Sequence, residues 1–179
     1  MGVGDIIDKR EVDGPDPLTL LGQASGLAFQ DTGIKNVIDY LDAIGVVSFS
    51  VDFSTATNQS RFGYSNFPRS LANKIGVKKD ISELYSGMGG NAPQVLLQEI
   101  SKKIQANEIH CALISGGEVL QTMISKLKSG EKLNWEDSAG GKPEIIGIND
   151  EGFSKEEKKH YMDLPSNVYP IFAKAIRSS

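Results

Sequence analysis

Residues 84–118 read LYSGMGGNAPQVLLQEISKKIQANEIHCALISGGE: a short apolar strand, a glycine-rich turn, one long amphipathic helix and a second strand, without interruption. That succession is a βαβ unit, and it commits the chain to an α/β fold. Gly87, Gly89 and Gly90 let the backbone take positive φ and bring bare N–H groups close to a ligand. Asn91 or Ala92 then opens the helix, with Pro93 in its first turn. A helix start of this kind offers unpaired donors and a partial positive charge, so it can hold a phosphate, a carboxylate or a developing oxyanion.

The rest of the chain fits around this unit. Residues 16–31 place Leu18, Leu21, Ala24, Leu27 and Ala28 on one face of a helix, with Pro17 in its first turn and Gly33 just past its end. After a short helical turn, Ile44, Val46, Val47, Phe49 and Val51 form a β-branched and aromatic run suited to a buried strand. Residues 52–66 show neither period and read as a loop, and FPRSLANKIG makes a short helix stopped by Gly76. The central unit then supplies a strand at Leu84, a helix over 94–105 and a strand over 109–115. Residues 119–127 continue as a helix on the far side of the sheet. Residues 129–157 are rich in Gly, Lys, Asp and Glu and read as a loop region. A closing helix over 169–177 turns Ile171, Phe172, Ala175 and Ile176 inward. Helix followed by strand recurs, which predicts a parallel or mixed sheet with helices packed on it.

Composition narrows the chemistry. A chain of 179 residues can bury a core without metal or disulfide staples. Its single cysteine, Cys111, rules out an internal disulfide framework, and two histidines, His110 and His160, do not make a metal cluster. A reducing, cytoplasmic compartment is expected. The net charge of -4, with acids and bases interspersed, leaves no basic stripe for a nucleic acid. No apolar run approaches the roughly 20 residues that cross a bilayer. The start MGVGDIIDKRE has neither the cationic nor the apolar region of a secretory signal, and Ile6 stands where myristoylation wants Ser or Thr.

The opening GVGD with its DPL-initiated helix, the DAIGVV strand, FPRSLANKIGV, GGNAPQVLLQEISKKIQANE, the strand ending SGGE, a tryptophan-containing insertion and LPSNVYPIFAKAIR together resemble the N-terminal half of a thiolase-superfamily protein. The branch is the acetyl-CoA acetyltransferase-like one, related to sterol-carrier-protein thiolases. The resemblance implies a three-layer α/β half with a mixed sheet flanked by helices. It divides the chain into an α/β core over 1–128, a loop insertion over 129–164 and a helix over 165–179 that returns to the core, with both ends cut. It implies acyl-CoA as the ligand, no tightly bound cofactor and no metal. It also implies pairing of subunits through the edge strand at 81–85, or assembly with a separate C-terminal half.

In that superfamily a cysteine at the start of the helix after the glycine turn becomes a thiolate and attacks an acyl-CoA thioester, while backbone and histidine donors stabilise the oxyanion. The matching position here is Gly90, followed by Asn91 and Ala92. A shift of the match reaches only Met88, Gly89 or Asn91, none of which can form an acyl-enzyme. The resemblance therefore implies Gly89, Gly90 and Asn91 lying against a thioester with no covalent step, and His160, in the region of the loop that covers pantetheine, reaching an acyl or pantetheine oxygen.

Cys111 lies inside the apolar run HCALIS and reads as core packing rather than a replacement nucleophile. Glu118, at the C-terminal edge of its strand, reads as a loop hydrogen-bonding group before a catalytic one. Trp135 reads as a loop anchor, and His110 as a surface residue at a strand start. Two other function classes stay open. Gly87, Gly89 and Ala92 satisfy a relaxed G-x-G-x-x-A spacing with Glu118 beyond the next strand, the pattern of a dinucleotide-binding oxidoreductase domain. A non-catalytic thiolase-like interaction module is the other.

Overall fold

The structure is a computed structural model that describes residues 1–10, 13–49, 53–54, 59–60, 63–87, 89–147 and 153–178. Val51, Asp52 and Met88 lie outside the described residues. The chain divides into two compact units, Met1–Ile148 and Asn149–Ser179.

The first unit is built on a four-stranded sheet. Its strands are β1 (Ala43–Val47), β4 (Ser82–Ser86), β5 (Ala112–Gly116) and β6 (Glu144–Ile146), in the order β5-β1-β4-β6. All three pairings are parallel. The expected mixed sheet is thus a parallel one among the described strands. The antiparallel pair is a separate hairpin of β2 (Phe53–Ser54) and β3 (Gln59–Ser60), inside the stretch expected to be loop.

Side chains alternate across a strand, and the two faces of this sheet sort cleanly into two apolar clusters. Ile44, Val46, Tyr85 and Leu113 pack with Leu20 and Leu21 of α1 (Pro17–Asp31) and with Phe67, Leu71 and Ala72 of α2 (Phe67–Ile75). Ala43, Leu84 and Ile146 pack on the opposite side, with Leu96 and Ile100 of α3 (Ala92–Gln105). Helices on both faces give the expected three layers. Met123 of α4 (Leu120–Lys128) packs against the first cluster, on the side away from α3.

Local chemistry sets the helix ends. The Asp16 carboxylate accepts from the Thr19 N–H at 2.9 Å and caps α1, with Pro17 in the first turn. Asn66 caps α2 by accepting from the Arg69 N–H at 3.1 Å, and Gly76, at φ 91°, ends it in the left-handed region. The inward stripe of α1 differs from the expected one. Pro17, Leu20, Leu21 and Ser25 are buried, while Leu27 is 41 % exposed. The N-terminal segment lies along this helix, so close that a methyl group on Gly4 would come within 2.1 Å of the Ala24 carbonyl oxygen.

The stretch after α4 holds more order than its composition suggests. Trp135 is buried in the first cluster, and Asn66 Nδ2 donates to the Gly140 carbonyl at 3.1 Å. β6 then pairs with β4 through Leu84↔Glu144, Tyr85↔Ile145 and Ser86↔Ile146, and Lys103 Nζ of α3 lies 3.2 Å from Glu144 Oε2. The sequence expectation that residues 81–85 form a sheet edge is corrected here: β4 is interior, with β1 on one side and β6 on the other. Three residues between glycine-rich segments carry too short a pattern to register as a strand.

The second unit contains α5 (Lys155–Lys159) and α6 (Pro165–Ser178). Ser154 and Glu157 form a reciprocal capping box at the start of α5. The closing helix begins earlier than expected and includes Pro170. Its residues Ile171, Phe172 and Ile176, expected to turn inward, are exposed.

Candidate functional site

Parallel strands place all their C-terminal ends on one edge of the sheet, where ligands of open α/β folds collect. The end of β1, the end of β5 and the start of α3 enclose a cleft of 610 Å³ on that edge. Val47, Ile114 and Pro93 supply apolar wall, and Ser48, Ser115 and Glu118 supply the polar groups. Gly89 and Gly90 form the side nearest the helix. Small residues keep the cleft open. Val47 and Gly116 are register partners, and a methyl group on Gly116 would come within 3.0 Å of Val47 Cβ.

Helix α3 is positioned by the strand beneath it. A methyl group on Gly45 would come within 2.9 Å of Ile100 Cδ1 and 3.1 Å of Leu96 Cδ1, so the glycine sets how closely the helix approaches β1. At its N-terminus the Ala92 N–H donates to the Gly89 carbonyl and the Val95 N–H to the Asn91 carbonyl, each at 3.0 Å. Among the described residues nothing accepts from the N–H groups of Gly90 and Asn91. Asn91 makes no side-chain cap, no acid sits in the first turn, and Lys102 and Lys103 sit in the last. The helix dipole is therefore left unneutralised at the end that borders the cleft.

Gly90 is exposed, is not in the left-handed region, and has no heavy atom within 4 Å of where a Cβ would lie. Position 90 is thus sterically open among the described residues. Gly89, Gly90 and Glu118 are brought together on this cleft, and Asn91 follows Gly90 at the start of α3. Glu118 is exposed and has an interaction partner of its own.

Ser48 is the group that the sequence reading missed. It is only 6 % exposed, lines the cleft, and its hydroxyl is buried with no hydrogen-bond partner among the described residues. Ser86, at the end of β4 opposite Val47, has the same unsatisfied hydroxyl. Buried hydroxyls are almost always paired. The available signal was a serine breaking the apolar run VVSF just where the strand meets the ligand-collecting edge.

The remaining candidates lie elsewhere. His110 and Cys111 precede β5, at the opposite end of the sheet from the cleft, and their N–H groups donate to Asp42 Oδ2 at 2.8 and 3.3 Å. The His110 N–H is the foremost cause that holds the Asp42 carboxyl below its ordinary range. Burial, then the Asp42 charge, pushes the Cys111 thiol up, so less thiolate forms there. His160 belongs to the second unit, where it is exposed and caps α5 by donating its N–H to the Glu157 carbonyl at 3.1 Å. Among the described residues no group of three or more His, Cys, Asp or Glu side chains is arranged to hold a metal, and no helix is long and apolar enough to cross a membrane.

No protein-family model matches the sequence, and neither does any curated protein. Among solved structures, the chain is similar to a monomeric SCP2-thiolase-like protein type 1 from Mycobacterium smegmatis, at 28 % identity and a TM-score of 0.52. The likeness covers 66 % of this chain and spans 22 % of the length of that one. With its three-layer arrangement and this likeness, the chain is thiolase-like and related to the sterol-carrier-protein thiolases.

Proposed function

We propose that the first unit binds acyl-CoA thioesters at the start of α3 without forming an acyl-enzyme. What supports this reading is Gly90: it borders the cleft, has open space where a side chain would stand, and stands, on the thiolase resemblance, where a nucleophile is expected, with the N–H groups of Gly90 and Asn91 available to a carbonyl oxygen. Donors fixed at a helix start stabilise negative charge on such an oxygen whether or not a nucleophile stands beside them. Gly89 supplies the close backbone approach. The reading goes with a cytoplasmic protein that needs a second copy or a separate C-terminal half to turn over substrate, or with one that serves as a non-catalytic binding module.

The dinucleotide alternative fits the sheet less well. In a nucleotide-binding βαβ unit the two strands are neighbours, and the acid at the end of the second reaches the ribose. Here β1 lies between β4 and β5. Titration calorimetry with acetyl-CoA, free CoA and NADH, beside light scattering, separates the two. Saturable binding of the CoA ligands alone supports the proposal, and binding of NADH alone overturns it.

A further inference from the structure

We propose that the same cleft takes a free short-chain carboxylate, with its oxygens on the N–H groups of Gly90 and Asn91 and the hydroxyl of Ser48, and its alkyl tail against Val47, Ile114 and Pro93. The inference rests on reading the cleft as an acyl site and adds the charge state of the group it holds. Two independent features meet there. One is the uncapped 14-residue α3, with no acid in its first turn. The other is Ser48, which lines the cleft with a buried hydroxyl that has no partner among the described residues.

An unpaired buried hydroxyl carries the full desolvation penalty of its missing hydrogen bond, so an arriving acceptor recovers it. The room at Gly90 matters equally. With no described residue beyond its chain neighbours within 4 Å of a Cβ at that position, a ligand oxygen can approach the helix start directly, in space that a side chain would fill. A carboxylate is the anion that suits the walls. No lysine or arginine lines the cleft among the described residues, so a phosphate dianion finds too little countercharge, while one end of a helix dipole matches a single charge. The apolar wall gives a short tail a place to bury. Glu118 on the rim opposes the anion, weakly because it is exposed and screened.

The test follows the Gly90 and Asn91 amide resonances while the full chain is titrated with sodium butyrate, butyramide, inorganic phosphate and butyryl-CoA. The expected result is saturable shifts with butyrate, with butyramide and phosphate at least tenfold weaker. Ser48→Ala is expected to weaken butyrate about tenfold while the fold is kept. Glu118→Gln is expected to tighten it a few-fold, which a neutral ligand would not report. Butyramide or phosphate binding as well as butyrate overturns the proposal, as does indifference to both substitutions. Butyryl-CoA binding with no response to butyrate overturns it and leaves the acyl-CoA reading standing. Butyrate binding with no response to butyryl-CoA supports it and removes the thioester reading, and silence from both ligands removes the two together.

Discussion

Gly45 of β1 and Ile100 of α3 meet so closely that a methyl group on the glycine would come within 2.9 Å of the isoleucine Cδ1. This contact sets the height of α3 above the sheet, and so sets where the Gly90 turn stands relative to the end of β1. A glycine inside a strand normally gains stability when replaced by alanine, through lost freedom of the unfolded chain. Here the atoms in the way are side-chain ends, which shift at moderate cost for one methyl and at higher cost for three.

The first prediction is therefore a graded loss. Gly45→Ala is expected to be nearly neutral, because entropy gained and repacking lost offset each other. Gly45→Val is expected to cost about 1–3 kcal/mol, the range for overpacking a filled core. Urea denaturation of the two variants checks the order.

Replacing Ser48 by alanine is expected to raise stability by about 1 kcal/mol, since it deletes a buried hydroxyl left unpaired among the described residues. A chemical denaturation curve with unchanged slope and a later midpoint is the expected outcome. Loss of stability would mean that the hydroxyl has a partner in solution.

Gly90→Cys is expected to fold as well as the wild type, because the position is open and its backbone is not left-handed. The new thiol would sit at an uncapped helix start, which lowers a thiol pKa below its ordinary value of about 8.5. Cys111 moves the other way. Disulfide-reagent kinetics against pH are expected to show one fast thiol in the variant and none in the wild type at neutral pH.

Asp42 gives the pH dependence. Its carboxyl is held low first by the His110 N–H, with the Cys111 N–H and Lys79 acting in the same direction. A depressed carboxylate contributes stability that is present above its unfolded pKa of about 3.9 and is lost as pH falls through the folded value. Asp42→Asn is expected to lower stability at neutral pH and to flatten the decline below about pH 4. Thermal unfolding followed across roughly pH 2–6 checks it. The effect is small, because the side chain is a third exposed.

What the sequence made legible was set by long periodic segments. The helices at 17–31, 67–75 and 92–105 and the buried run that includes Val47 carry enough pattern to declare themselves, and Pro17, Gly76 and Pro93 mark helix ends by backbone chemistry. β6 escaped because three residues have no period, and with it went the knowledge that β4 is interior. Leu27 was assigned to the inward face of the first helix, yet it is 41 % exposed. The glycine turn was readable as a site from Gly89, Gly90 and Asn91. Ser48 was marked locally only as a polar break in the run VVSF, because a missing hydrogen bond is a property of packing between distant segments.

The central claim is that this cleft holds an acyl thioester without being acylated by it. Mass spectrometry of the chain incubated with acetyl-CoA tests that directly, under native and then denaturing conditions. The account predicts a complex with intact acetyl-CoA in the native spectrum and an unmodified protein mass after denaturation. A protein that retains an acetyl group after denaturation, or one that forms no complex at saturating ligand, would contradict it.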